Sequence, residues 1–229
     1  MLSAASRSER THWTSTTGAT ATLIEPGGVL PLPTSLATDV VLVRHGETDW
    51  NRAGRCQGIV DTSLNVNGVL QAKALRRLVA DADISAAYSS PLLRARETAR
   101  LMLDRTGVAA SPVADLREID CGRLTGLALD EWESIDPGLG ACWRNAPWEM
   151  AFPGGERLSA ARGRAMQAWD SLVAAHRGDR ILIVGHGHLN RLLVLYAVNA
   201  DARMFWRVPQ PNAAVWHVRI GAVGAGWSS

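Results

Sequence analysis

The chain contains no apolar run of the roughly 18 residues that a membrane-spanning helix requires, which argues against an integral helical membrane protein. It has no surplus of one charge either. Its 24 basic and 22 acidic side chains leave a net charge of +2, whereas nucleic acids and anionic membrane surfaces call for a concentrated basic excess. Neither is an expected partner. Cysteine is scarce: Cys56, Cys121 and Cys142 are odd in number and form no CxxC pair. No zinc site or disulfide framework is indicated, and three reduced thiols in a cytoplasmic protein are the expectation. Histidines and carboxylates do not cluster at ligand spacing, so no metal is expected. The GxG fragments fit neither a Walker nor a dinucleotide pattern, so no nucleotide cofactor is expected. The first 38 residues have no continuous apolar core, because Thr, Gly and Pro interrupt every candidate, and a secretory signal is not expected.

What is present begins with enough apolar material, 47 % of 229 residues, for one domain of the larger kind. Residues 1–38, rich in Ser, Thr, Ala and Gly, read as a flexible extension, although Thr20–Ile24 has the content of a short strand. Residues 39–229 read as the domain. Val40–Val43 is a short aliphatic run of the kind buried on both faces of a parallel sheet. Helical spacing follows over Asn67–Ala82, with Asn67 as cap, and then a strand over Ile84–Ser89 and a helix over Leu92–Leu103. Val108–Leu116 reads as a third strand, Glu156–His176 as a long amphipathic helix, and Ile181–Val184 as a second buried run. A helix to Val198 and a strand over Ala213–Ile220 complete the pattern, while Asp120–Gly155 reads as an irregular insertion rich in Trp, Pro and Gly. Strand alternating with helix predicts an α/β fold, a three-layer α/β/α sandwich around a mostly parallel sheet.

Each buried run ends in a histidine flanked by glycine: Arg44-His45-Gly46 and Gly185-His186-Gly187. Ligands of open α/β sheets bind beyond the carboxyl ends of the strands, so two central parallel strands would bring both histidines to one crevice. Glycine beside each lets backbone and ligand approach closely.

The run Leu42-Val43-Arg44-His45-Gly46-Glu47-Thr48-Asp49-Trp50-Asn51 resembles the signature of the histidine phosphatase, or phosphoglycerate mutase-like, superfamily. The resemblance continues through Gly54–Gly58, Asp61–Leu64, Gly68–Ala72, Ser89–Ala99, Leu116–Gly122, Phe152–Glu156 and Val184–Gly187, in family order over about residues 39 to 220. It implies a phosphoglycerate mutase-like fold and a phosphatase that needs no metal or cofactor. His45 would be the nucleophile, with Arg44, Arg94 and His186 around the transferred phosphoryl group. Phosphoryl transfer asks a protein mainly for positioning and for neutralisation of the equatorial oxygens, and arginine suits that task. Cationic neighbours would also keep the His45 imidazole neutral and nucleophilic.

The resemblance makes Glu118 the proton donor, and Asn51, Gln57 and the Gly187 backbone N–H contacts to the phosphate or its ester. For Asn51 and Gln57 turn formation competes with that role. His188 stands where many relatives have a small residue, and helix capping is favoured for it over a substrate contact. Arg191 reads as a structural ion partner. Thr125 occupies a position where many relatives carry Glu. Trp132, Trp143, Trp148 and Trp206 are expected in the core or at an interface rather than against substrate.

The wording of the Arg55–Gly58 and Phe152–Glu156 segments is similar to that of small-molecule phosphatases such as alpha-ribazole phosphatase and broad-specificity relatives. The expected partner is a small-molecule phosphate ester. A mutase-type phosphotransferase and a catalytically silent phosphoester binder are the alternatives, and a homodimer is left open.

Overall fold

In the computed structural model, which describes residues 12–32 and 37–221, the two buried runs lie side by side. β1 (His12–Thr14), β2 (Thr20–Ile24), β3 (Thr38–Arg44), β4 (Ala86–Ser89), β5 (Ala110–Pro112), β6 (Arg180–Gly185) and β7 (Val215–Ile220) form one sheet in the order β1-β2-β7-β3-β6-β4-β5. The pairs β3–β6, β6–β4 and β4–β5 are parallel, and β7 runs antiparallel between β3 and β2. The helices are α1 (Asp49–Arg52), α2 (Val66–Ala74), α3 (Arg76–Ala80), α4 (Leu93–Leu103), α5 (Leu139–Asn145), α6 (Leu158–Ala175) and α7 (Gly187–Ala197). Among the described residues no helix is long and apolar enough to cross a membrane.

The aliphatic runs of β3 and β6 serve two cores at once, because successive side chains point to opposite faces. Val40, Leu42, Ile181 and Ile183 join α6, α7 and the tryptophans of the insertion. Val41, Val43, Leu182 and Val184 join α4 and Val79 of α3 on the other face. That is the expected three-layer α/β/α sandwich. Fully burying each such side chain contributes about 1.5–3 kcal/mol, so the central strands are also the best anchored.

The described part of the N-terminal segment joins the sheet, and Thr20–Ile24 forms the strand its content suggested. β2 pairs with β7 from Thr20↔Arg219 to Ile24↔Val215, and β1 pairs back on β2. Ala21 is fully buried, and His12 Nδ1 lies 2.8 Å from Thr22 Oγ1 across the strands. β7 would otherwise present an open row of backbone donors and acceptors, and a Thr- and Ala-rich strand is adequate to satisfy them. Residues 1–11 and 33–36, also assigned to the extension, lie outside the described residues.

Local boundaries shift for identifiable reasons. Asn65, not Asn67, caps α2, its side-chain oxygen accepting from Gly68 N at 2.8 Å. The expected single helix bends at Leu75, which stays helical at φ −69°, ψ −11° between α2 and α3. The third strand shrinks to Ala110–Pro112 because Pro112 has no N–H to donate, and a 3₁₀ turn over Ala114–Leu116 follows. The insertion is built of short 3₁₀ turns and α5.

Two of the three cysteines depart from the reduced-thiol expectation. Cys56 and Cys121, 65 residues apart in sequence, are joined as a disulfide, and Cys142 is free. The loops that carry them are already held together through Leu127, whose carbonyl accepts from Cys56 N at 2.9 Å, and through Gly126 N, which donates to Cys56 O at 2.8 Å.

Candidate active site

The register Arg44↔Gly185 between β3 and β6 dictates the centre of the site, because the next residue on each strand is a histidine. His45 N donates to Gly185 O at 3.0 Å, and the His45 and His186 ring centroids lie 5.2 Å apart. Behind His45 the chain turns tightly: a Cβ on Gly46 would come within 2.5 Å of Gly68 O, and one on Gly68 within 2.1 Å of Glu47 O. The loop after β3 therefore rests backbone to backbone on the start of α2, which only glycine permits.

The hydrogen bonds of His45 define its tautomer. Nδ1 lies 2.7 Å from the Gly46 carbonyl, which can only accept, so Nδ1 carries the proton. Nε2 then holds the lone pair and accepts from Arg94 Nε at 3.3 Å. His45 is almost fully buried. Burial, reinforced by the Arg94 and Arg44 cations, holds its pKa well below the ordinary histidine value. Near neutral pH, Nε2 is unprotonated.

Arg94 projects from the first turn of α4 and is 1 % exposed. Its guanidinium donates to Val60 O at 2.7 Å and Gly58 O at 2.8 Å, which fixes the fork beside His45. Burial lowers its pKa to about 10, so it remains a cation at neutral pH. Arg44 donates from Nη1 to Gln210 O, while its Nε is buried with no partner among the described residues. Gly187 lets this side chain pass close over the start of α7: a Cβ there would lie 3.2 Å from Arg44 Nε.

His186 does not supply the cationic charge expected of it. It is fully buried, and burial, with Arg94 next in effect, lowers its pKa well below the ordinary value. Its Nε2 lies 2.7 Å from Ser90 Oγ, and its Nδ1 has no partner among the described residues. Arg44 and Arg94 are the cations nearest the two histidines, and His186 and the Gly187 N–H add neutral polar groups.

Glu118 sits across the pocket. Its Oε1 accepts from Ile119 N at 3.1 Å and Leu189 N at 3.2 Å, and its Oε2 accepts from His188 N at 3.2 Å. Burial alone would raise its pKa, but His188, His186 and the backbone donors outweigh it and hold Glu118 well below the usual carboxylate range.

Asn51 and Gln57 line the same pocket, and both are held by local hydrogen bonds. Asn51 Oδ1 accepts from Thr48 N and Oγ1, each at 3.2 Å, closing the cap of α1, and from Asn212 Nδ2 at 3.0 Å. Gln57 Oε1 accepts from Thr48 Oγ1 at 3.0 Å and Thr62 Oγ1 at 2.6 Å. With both oxygens engaged, the amide NH₂ groups are what a phosphate ester can use.

Sequence reasoning missed the supports: Ser90 on His186, Gln210 on Arg44, and Asn212 on the His45 carbonyl at 3.3 Å. It also misplaced two residues. His188 makes no side-chain cap bond and instead lines the pocket. Arg191 donates to Val208 O and Gly187 O and packs over Phe205 and Trp206, rather than joining an ion pair. Beside the phosphate pocket lies a cavity of about 180 Å³ lined by Leu127, Leu129, Trp132, Trp143 and Phe152, and the two share Arg55, Cys56, Cys121 and His188. Trp132 and Trp143 thus belong to the core and also border the site.

Arg94→Met should lower kcat/KM by about 10²–10³-fold through loss of a preorganised charge. It should also raise the His45 pKa, because a neighbouring cation no longer opposes protonation. The acid limb of the kcat/KM–pH profile should therefore move upward. A loss of rate with the limb unmoved would show that Arg94 does not tune His45.

An unprotonated histidine beside Arg44 and the buried Arg94, at the carboxyl ends of parallel strands, is an arrangement suited to phosphoryl transfer. The family description "Histidine phosphatase superfamily (branch 1)" matches residues 40–227, and the chain belongs to that superfamily as a phosphoric monoester hydrolase. Among its relatives, the metal-independent phosphoserine phosphatase of Arabidopsis thaliana is 37 % identical over 172 residues, which cover 73 % of this chain and 72 % of that protein. The solved structure of Bacillus stearothermophilus YhfR superposes with a TM-score of 0.74 at 30 % identity, covering 83 % of this chain and 98 % of the other. Mycobacterial glucosyl-3-phosphoglycerate phosphatase superposes with a TM-score of 0.71 at 29 % identity, covering 79 % and 88 %.

Proposed function

We propose that the protein hydrolyses a small-molecule phosphate monoester through a phosphohistidine on His45, without metal. The observation that carries this reading is the His45 tautomer: Nδ1–H is committed to Gly46 O, and the Nε2 lone pair faces the pocket beside Arg94. A bound phosphoryl group would lie against Arg44, Arg94, His186 and the Gly187 N–H. Nε2 attacks phosphorus as the ester P–O bond breaks, and the Glu118 corner of the pocket manages the proton that the leaving oxygen needs. Water then attacks the phosphohistidine, the P–N bond breaks, and the electron pair returns to Nε2.

The neighbouring aromatic cavity favours an alcohol with an apolar or ring-bearing body over one that is wholly polar, such as serine. The test is to incubate the protein and a chelator with labelled phosphate monoesters spanning both kinds, measuring phosphate release and quenching at early times. The expected result is metal-independent release, with an acid-labile, base-stable label on the His45 peptide and faster turnover of ring-bearing esters. Tight binding without release would favour the silent binder. Transfer that needs a bisphosphorylated primer would favour the mutase, and release that needs added metal would discard the mechanism.

A further inference from the structure

Glu118 belongs to no strand or helix. It stands in an irregular stretch between the 3₁₀ turns of Ala114–Leu116 and Gly122–Leu124, so any drift of that backbone carries the carboxyl with it. A side chain of α6 holds the stretch in place. Arg164 Nη1 donates to Asp115 O at 2.7 Å and to Arg117 O at 2.8 Å, and Nη2 donates to Glu118 O at 3.1 Å. The other two donors, on Nε and Nη2, go to Glu156 Oε1 and Oε2, both at 2.8 Å. A guanidinium has five N–H groups, and here each has its own acceptor. Glu156 in turn accepts from Asp120 N at 3.4 Å, and its own N–H donates to Asp120 O at 2.9 Å. One ion pair, its side chains 10 % and 13 % exposed, thus grips the chain on both sides of Glu118. Replacing a buried pair of this kind by apolar side chains is often neutral for stability. What apolar side chains cannot reproduce is a planar fork that reaches three carbonyls at once. Neither Arg164 nor Glu156 lines the phosphate pocket or the aromatic cavity.

We propose that Arg164 and Glu156 are positioning residues for proton transfer, fixing the backbone of Glu118 so that its carboxyl meets the scissile ester oxygen. The inference rests on the phosphohistidine reading, in which the Glu118 corner supplies the proton. As the P–O bond breaks, the ester oxygen keeps the bonding pair, takes the Glu118 proton and leaves as the alcohol. The carboxylate recovers a proton from the water that attacks the phosphohistidine, so ester plus water gives alcohol plus inorganic phosphate. Such a transfer is steep in distance, and a misplacement of 1 Å can cost about 100-fold. The Glu118 oxygens are held from the other side by the His188 and Leu189 N–H groups of α7. The residue therefore spans two anchors, and a shift of the α6 anchor changes its reach. Phosphate binding depends on different anchors: Arg44 rests on Gln210 O, and Arg94 on Val60 O and Gly58 O. Loosening the α6 clamp should impair protonation of the leaving group and spare the grip on phosphate.

The test compares wild type, Arg164→Lys and Glu156→Gln, with Glu118→Gln as reference. The substrates are an alkyl phosphate, whose leaving oxygen needs a proton, and p-nitrophenyl phosphate, whose phenolate leaves without one. Arg164→Lys keeps a cation against Glu156 but loses the planar fork. The ratio of its alkyl to its nitrophenyl phosphorylation rate should fall about 10–100-fold, while inhibition by inorganic phosphate stays at the wild-type level. In Glu118→Gln the same ratio should fall about 100-fold or more, the scale of a lost general acid. Glu156→Gln weakens the same clamp from its other end and should shift the ratio in the same direction, so it decides the matter if Arg164→Lys does not fold. Equal losses on both esters, or an unchanged ratio in a variant with a lowered melting temperature, would overturn the inference and leave the pair a purely structural clamp. A Glu118→Gln variant equally slow on both esters would overturn it too, because Glu118 would then not be the proton donor. Absence of an acid-labile phosphoenzyme in wild type would sink the phosphohistidine reading, and the inference with it, through a measurement independent of the ratio.

Discussion

Replacing His45 by alanine should lower phosphate release by about 10⁴-fold or more, the scale of loss when a covalent nucleophile is removed. The side chains beside it are poorly placed to take over the attack. His186 is turned against Ser90, and the arginines remain protonated. The variant should still bind inorganic phosphate, because Arg44, Arg94 and the Gly187 N–H are untouched. Phosphate release and phosphate binding, measured alongside a thermal melt, distinguish lost chemistry from lost fold. A variant that melts near wild type and retains even a few per cent of the rate would end the covalent mechanism. Partial activity would mean that water attacks the ester directly between the two arginines, with His45 only a contact.

The second large effect is on stability and lies at the opposite end of β3. Asp39 is fully buried; it accepts from Arg180 at 3.1 Å and Arg219 at 2.8 Å, and His217 Nε2 lies 3.1 Å away. Asp39→Ala leaves Arg180, itself 5 % exposed, as an uncompensated buried cation. The expected cost is about 3–5 kcal/mol. For a chain of this length each kcal/mol lowers Tm by roughly 2–4 °C, so a fall of roughly 6–20 °C should appear in calorimetry. A loss within 1 kcal/mol would show that solvent replaces the carboxylate.

The same group gives a pH dependence of known sign. Burial would raise the Asp39 pKa, but the His217 and Arg219 hydrogen bonds, with Arg180 assisting, outweigh it and hold the carboxyl well below its usual range. A depressed folded-state pKa adds stability that is fully present above the unfolded value, about 4, and is lost as pH falls further. Urea melts of the wild type should therefore weaken below about pH 4, with up to about 1.4 kcal/mol per pH unit from this one group. Asp39→Asn should be less stable at neutral pH and flatter on the acid side. Parallel acid slopes in the two proteins would assign the acid sensitivity elsewhere.

These residues show why some of the molecule was legible from sequence and some was not. The central strands announced themselves because Val40–Val43 and Ile181–Val184 are aliphatic at every position, which only burial on both faces explains. The two histidines followed, since each stands directly after such a run. Arg94 and Glu118 have no comparable local signal; family wording brought them in, and the structure sets both against the same pocket. The supports from Ser90, Gln210 and Asn212 come from segments far along the chain, and a hydrogen bond to a carbonyl leaves no trace in composition. The Cys56–Cys121 pair was missed for the same reason, its partners being 65 residues apart. Thr20–Ile24 had the content of a strand, but its Thr and Ala could equally suit a linker; what holds it in the sheet is the edge of β7, some 190 residues further on in the chain.

β3 carries Asp39 near its start, and His45 follows its last residue. At about 3.3 Å per residue the two lie roughly 20 Å apart, far beyond the range over which substitutions usually interfere with one another. The strand thus separates a foundation from a workshop. Exchanges at the pocket end should therefore leave the ionic foundation at the far end holding the sheet. Such a layout favours evolvability, because change at one end of the strand is not charged to the other.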